Sequence, residues 1–390
     1  MKNKMFKTLA MLGVSSIMLA GCGDTTTTTS SNVSSDSDTI KIGASFDVTG
    51  SYAQYGLSAN KGALLAIKEY NEAGGVLGME ISYILEDNKG SQVDAANAFK
   101  KLDSQGIVAF IGSDISGTTE TIANLAKDSG IPMVSPSATK MEITSIADNI
   151  FRACYIDPAQ GEILASFAVE ELGAKTAAVM INSESDYSVG VAEAFIENFV
   201  SAGGEILVEV NYSSSDVDFK SILAPVSNAT PDIVVIPDYY ETIANIAPQA
   251  RQLGIDATLL GGDGWDGVTN MTVNSPESVE GSYFINHYTV DDDTPIVQDF
   301  IANFEDEYGE TPNAFAALGY DAARLIIEAM KEADTTDPAV VTQTLQNIDL
   351  ECVTGNITFD ENRNPQKSAA IIKIIGGENT FYQKINPYSN

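Results

Sequence analysis

Residues 109–126 read Ala-Phe-Ile-Gly-Ser-Asp-Ile-Ser-Gly-Thr-Thr-Glu-Thr-Ile-Ala-Asn-Leu-Ala. Residues 108–111 are a short apolar run, as a strand covered on both faces requires. Ser116, Gly117, Thr118 and Thr119 then place hydroxyls and backbone N–H groups at a helix start. Such a start suits an anion, because unpaired N–H groups and the helix dipole point the same way. The pattern returns at once, with an apolar run over 131–134 followed by Ser135-Pro-Ser-Ala-Thr139. One such loop reads most simply as a helix cap that serves only its helix. Two in succession, both at carboxyl ends of strands where α/β folds bind ligands, point to a small anion.

The chain has 390 residues, enough for two domains with their own cores. Its formal charge is −33, from 54 acidic and 21 basic residues. That balance excludes nucleic acid and an anionic lipid surface as partners, since both need basic patches. The only arginines are Arg152, Arg251, Arg324 and Arg363, none of them in the two hydroxyl-rich loops. A carboxylate bound there would be held by neutral donors. His287 is the single histidine, which argues against a histidine metal site or a catalytic triad, and three cysteines do not make a zinc cluster with it. No cofactor is expected.

The first residues read as an export signal. Lys2, Lys4 and Lys7 precede a mostly apolar stretch over 8–20 that is too short for a stable membrane span. It ends in Leu19-Ala20-Gly21-Cys22, which resembles a bacterial lipobox. The resemblance implies cleavage after residue 21 and lipid on the Cys22 thiol. Residues 22–38 are Ser/Thr-rich without aromatics and read as a tether. The protein is thus expected at the extracytoplasmic face of the cell membrane, touching it through lipid only.

From residue 40 strand-like and helix-like segments alternate to about residue 261, the pattern of parallel sheets with covering helices. Strands are expected over 40–46, 79–85, 177–181, 233–236 and 258–260. Helices are expected over 57–72 and 93–105, the first with Leu64, Ile67 and Tyr70 on one face. Ala73-Gly74-Gly75 follows one helix, and Ala202-Gly203-Gly204 follows another. Each is succeeded by a strand, a Val-Asp helix start and a further strand, which suggests two lobes of like topology. After residue 281 the character changes. Helices are expected over 295–308, 314–331 and 338–347, and residues 352–359 and 369–375 read as two strands joined by a polar turn. Cys154 and Cys352 both lie beside expected lobe crossings, and an exported location permits a disulfide between them.

Over about residues 40–376 the chain resembles the leucine/isoleucine/valine-binding family of solute-binding proteins that serve ABC importers. The resemblance lies in residues 42–56, 111–119, 132–139 with Glu142, 150–161, 232–254 and 353–364. It implies the type I periplasmic-binding fold, α/β, with two lobes and a ligand cleft between them. The division expected is 39–153 with 287–352 in lobe 1, and 154–286 with 353–390 in lobe 2. Residue by residue, it implies that Ser116 and Thr139 hold an α-carboxylate, helped by backbone groups around Ala138. The carbonyl of Ser137 and the side chain of Asp263 would receive an α-ammonium. Tyr55, Tyr187, Tyr239 and Phe315 would surround the ligand side chain. Trp265, in Gly261-Gly-Asp-Gly-Trp-Asp-Gly267, has no counterpart in the best-known branched-chain binders and is a further candidate contact. Independently, Tyr187, Tyr239 and Asp263 each follow a strand of the second lobe.

These readings converge on a monomeric lipoprotein that captures a neutral L-amino acid, branched-chain or otherwise aliphatic, and delivers it to ABC permease subunits without a chemical step. A ligand-sensing receptor component is the alternative binding role. An enzyme using Ser116 or Asp263 would need a nearby base, and only Lys140 stands close in sequence.

Overall fold

Short runs rich in Ile, Val and Ala recur between helix-forming segments, and each becomes a strand buried on both faces. The computed structural model describes residues 39–386; the export segment, Cys22 and the tether lie outside them. Strands β1 (Thr39–Phe46), β2 (Glu80–Asp87), β3 (Ala109–Gly112), β4 (Met133–Ser135) and β5 (Ile150–Arg152) form a parallel sheet ordered β2-β1-β3-β4-β5. A second sheet contains β6 (Thr176–Asn182), β7 (Glu205–Tyr212), β8 (Ile233–Val235), β9 (Thr258–Gly261) and β10 (Tyr283–Asn286), all parallel. Strands β11 (Asp349–Cys352) and β12 (Gly355–Thr358) pair only with each other, while β13 (Ala369–Ile375) and β14 (Glu378–Ile385) extend the second sheet antiparallel, giving β14-β13-β10-β9-β8-β6-β7.

The helices are α1 (Ala53–Glu72), α2 (Gln92–Ser104), α3 (Ser116–Ser129), α4 (Asp157–Glu170), α5 (Asp186–Ser201), α6 (Lys220–Ala229), α7 (Tyr240–Gln252), α8 (Val268–Met271), α9 (Pro295–Tyr308), α10 (Ala314–Ala333) and α11 (Pro338–Gln346). Helix α10 lies against α1, although the whole second sheet up to β10 separates them in sequence. Two glycines allow this. A Cβ on Gly62 would stand 1.9 Å from the Ala316 carbonyl oxygen, and one on Gly319 would stand 2.0 Å from that of Ala59. The chain then returns, as β13 pairs with β10. Helix α4 packs on α5 and shares a buried cluster with strands of the second sheet. The chain therefore passes between the sheets after β5, after β10 and after β12.

Three local expectations are corrected. The buried face of α1 carries Tyr55, Ala59, Ala63, Ala66 and Ile67, whereas Leu64 is exposed and Leu65 takes its place in the core. The second hydroxyl-rich loop leads to a short 3-10 helix, Met141–Ile146, and not to an α-helix. Residues 352–359 do not pair with β13. The turn through Gly355, whose φ of +110° suits glycine, folds β12 back on β11. Cys154 and Cys352 are both buried and unbridged.

Candidate functional site

Helix α3 begins at Ser116 directly after β3, and no side chain caps it: Ile115 stands at the cap position. Its first N–H groups are thus left for a ligand or solvent. The second loop is stitched to this start. Ser135 Oγ donates to the Ser113 carbonyl at 2.8 Å, Ser137 Oγ donates to the Asp114 carbonyl at 2.7 Å, and the Lys140 N–H reaches Ser116 Oγ at 3.4 Å. The Asp157 N–H donates to the Thr139 carbonyl at 2.9 Å, which sets its carboxyl beside Thr139. Burial pushes the Asp157 carboxyl well above the usual carboxylate range, and its Oδ1 has no hydrogen-bond partner among the described residues. Burial also raises Asp114, to about 7.

The facing groups come from strand ends of the second sheet. After β8, Asp238 accepts from Asn182 Nδ2 at 3.1 Å, the Tyr212 hydroxyl at 2.7 Å and the Tyr239 N–H at 2.8 Å, which fixes the turn presenting Tyr239. Tyr187, in the first turn of α5, stacks on Tyr239 with ring centroids 5.0 Å apart. After β9 comes Asp263. Its N–H donates to Gln160 Oε1 at 2.9 Å, and its Oδ2 meets His287 Nε2 at 2.9 Å. The Gly264 N–H donates to the Tyr187 hydroxyl at 3.0 Å.

Tyr55 and Phe315 complete the walls, stacked with centroids 4.0 Å apart. The Tyr55 hydroxyl donates to the Gly264 carbonyl and accepts from the Tyr240 N–H at 3.2 Å, so α1 on the first sheet is bonded to loops of the second. Around these groups is a small cavity lined by Ser116, Ser137 and Thr139 on one side and Tyr187, Tyr239 and Asp263 on the other. Tyr55, Phe315, Asp114, Ile115 and Gly264 line the rest, and no Lys or Arg is among them. Lys140 turns away, with Nζ 2.8 Å from Glu120 and 3.1 Å from Asp186. One end of the cavity thus offers neutral donors and the other a carboxylate, between aromatic walls.

The structure brings eight of the ten expected contact residues to this cavity and leaves two outside its lining. The Ala138 carbonyl accepts from Arg152 Nη1 at 2.8 Å. Trp265 is turned into the core, its Nε1 donating to the Ile236 carbonyl at 2.8 Å and its ring stacked near Phe284. It fits because Gly261 has no side chain; a Cβ there would be 1.7 Å from Nε1. Trp265 therefore shapes the Gly-rich turn from behind. Asp157, Gln160 and His287 were not singled out as contacts from sequence. Asp157-Pro158 at a helix start was a signal, but it reads equally as a cap. Larger openings of about 700 and 800 Å³ lie beside Thr289 and Lys384 and beside α1 and Pro312, and neither contains the hydroxyl-rich loops.

Two mostly parallel sheets covered by helices, with the chain passing between them three times and a small cavity at their strand ends, define a periplasmic binding protein. Residues 39–378 match the family model described by that name, and the chain belongs to the leucine/isoleucine/valine-binding family of solute-binding proteins. It is 30% identical, over 83% of its length and 86% of the relative's, to the leucine-, isoleucine-, valine-, threonine- and alanine-binding protein of Pseudomonas aeruginosa. The leucine-binding protein LivK of Thermotoga maritima superposes with a TM-score of 0.85 at 33% identity, covering 89% of this chain and 99% of that one. LivJ of Streptococcus pneumoniae, solved in complex with isoleucine, gives 0.84 at 32% identity over 90% and 100%. The family comprises substrate-binding proteins of transporters rather than enzymes, and its members are extracytoplasmic. No helix among the described residues is long and apolar enough to cross a membrane.

Proposed function

We propose that the chain binds a neutral, aliphatic L-amino acid, of the branched-chain type, and hands it to ABC permease subunits. The reading rests above all on one observation: the uncapped start of α3 with Ser116 faces Asp263 across a cavity walled by Tyr55, Tyr187, Tyr239 and Phe315. The α-carboxylate takes the donors of Ser116, Thr139 and the free N–H groups. The α-ammonium takes Asp263 and the Ser137 carbonyl. The side chain lies between the rings. With no basic group lining the cavity, a second carboxylate on the ligand would be unpaired and costly.

In this reading the lobes are 39–153 with 287–358 and 154–286 with 369–385, since the hairpin of β11 and β12 keeps residues 353–358 with the first lobe rather than the second as expected, and they close on the ligand because its two charges need partners from both. The protein is a monomer, held to the outer face of the cell membrane by lipid on Cys22. Calorimetric titration with leucine, isoleucine, valine, alanine, glutamate and a sugar tests the ligand class. Tight binding of at least one of the first four is expected. Tight binding of glutamate or the sugar alone would refute it.

A further inference from the structure

The ammonium partner is an aspartate, a short side chain at the tip of a glycine-rich turn, and something must hold its carboxylate. His287 is placed to do so. It follows β10 directly, its ring is fully buried, and Nε2 lies 2.9 Å from Asp263 Oδ2. The ring stacks on Tyr155 with centroids 3.8 Å apart and planes 21° apart. Tyr155 stands in the segment that links β5 to α4. His287 thus ties together two of the places where the chain passes between the sheets. Its backbone N–H is fixed to Asn286 Oδ1 at 2.8 Å.

The hydrogen bond defines the tautomer. A carboxylate oxygen can only accept, so Nε2 carries the proton. Nδ1 has no partner among the described residues, as suits a neutral ring. Burial, helped by the charge of Lys367, holds the imidazole down at about 4 against the pull of Asp263, so the ring is uncharged at neutral pH. A neutral donor has a consequence that Lys or Arg at this place would not. It fixes one carboxylate oxygen without cancelling the negative charge, and the whole charge remains for a ligand cation. Asp263 lines the cavity, and Oδ1 makes no hydrogen bond to a described residue.

We propose that His287 is the positioning residue of the ammonium site: its Nε2–H grips Oδ2 of Asp263 and so presents Oδ1 to the ammonium of the bound amino acid. The inference rests on the proposed role of Asp263 as ammonium partner. It adds that the grip originates on a segment that passes between the sheets, so that capture of the ammonium and the geometry of closure share one side chain.

The test uses the full chain and two ligands, leucine and 2-hydroxy-4-methylpentanoate, which has the same skeleton and carboxylate but no ammonium. His287→Phe keeps a ring against Tyr155 and removes the donor. His287→Gln restores an N–H donor, and His287→Leu stands in should the Phe variant fail to fold, folding being judged by ligand-free melting. Leucine affinity should fall about 10- to 50-fold in the Phe or Leu variant, in line with the loss of a hydrogen bond to a buried charge. The hydroxy acid, measured by displacement of leucine, should change by less than about threefold, and His287→Gln should recover part of the loss. An equal loss for both ligands would make His287 a structural residue only and overturn the inference. So would leucine binding unchanged by His287→Phe. A parent protein that binds leucine, isoleucine, valine and alanine not at all would overturn the proposed function, and this inference with it.

Discussion

Replacing Tyr55 by Phe removes one oxygen from the cavity wall and nothing else. The ring, stacked on Phe315 at 4.0 Å, stays. The hydroxyl serves two backbone groups of the opposite side, the Gly264 carbonyl and the Tyr240 N–H. Without it both are buried and unpaired when the halves are together, while water satisfies both when the halves are apart. A buried unpaired polar group costs about 1–3 kcal/mol. The Tyr240 bond is long at 3.2 Å, so the pair together is worth about 2–3 kcal/mol against closure. At about 1.4 kcal/mol per decade, affinity should fall about 30- to 150-fold. Because the lost bonds are between protein groups, the factor should be the same for leucine, valine and alanine. Calorimetric titration of Tyr55→Phe with all three gives the answer. A loss under about threefold, or one confined to a single ligand, would refute the reasoning. So would unchanged affinity with a lowered ligand-free melting temperature, which would place these bonds in the free protein as well.

Three further outcomes are expected. Gly62→Ala forces a Cβ into the Ala316 carbonyl of α10, so ligand-free stability should drop by about 1–3 kcal/mol or more in denaturant unfolding. Asp114 titrates near 7 in the fold against an ordinary 3.8, so the folded state binds the extra proton between those values and the parent loses stability as pH rises through them. The melting advantage of Asp114→Asn over the parent should therefore grow from pH 4 to pH 7 and then level off. Cys22→Ala should release the protein from membranes washed with high salt; a variant that stays bound as the parent does would remove Cys22 as the anchor.

Much of the fold was legible because parallel sheets covered by helices write themselves as short apolar runs between amphipathic segments. Helix α9 falls on the expected residues 295–308, and α10 begins at the expected Ala314. The cavity was legible because α/β folds place ligands at carboxyl ends of strands, so loops distant in sequence could be assigned to one site. What failed was local and three-dimensional at once. Leu64 and Leu65 differ by one position, and only the contact between α1 and α10 decides which is buried. Trp265 sits in a loop otherwise directed at the cavity, and its inward turn depends on the missing side chain of Gly261, a relation that the sequence does not display. From the sequence the lone histidine argued only against a histidine metal site or a triad, and nothing placed it at the cavity. Its pairing with Asp263 requires knowing that β10 lies beside β9. The return of β12 onto β11 was hidden because residues 352–359 are strand-like throughout and only Gly355 marks the turn.

The central claim, that a zwitterion bridges the hydroxyl-rich start of α3 and the carboxylate of Asp263, is tested most directly by Asp263→Asn. Asn keeps the size, and its amide oxygen can still accept from His287 Nε2, so only the charge is lost. Removing one member of a buried charge pair costs about 2–5 kcal/mol, which predicts a Kd raised about 30- to several-thousand-fold for the best neutral amino acid, with ligand-free melting unchanged. Asp266→Asn, whose Oδ2 accepts from the Ala314 N–H at 3.1 Å and faces no ligand, should cost far less. A Kd for Asp263→Asn within a factor of about three of the parent, or a larger loss in Asp266→Asn, would contradict the account.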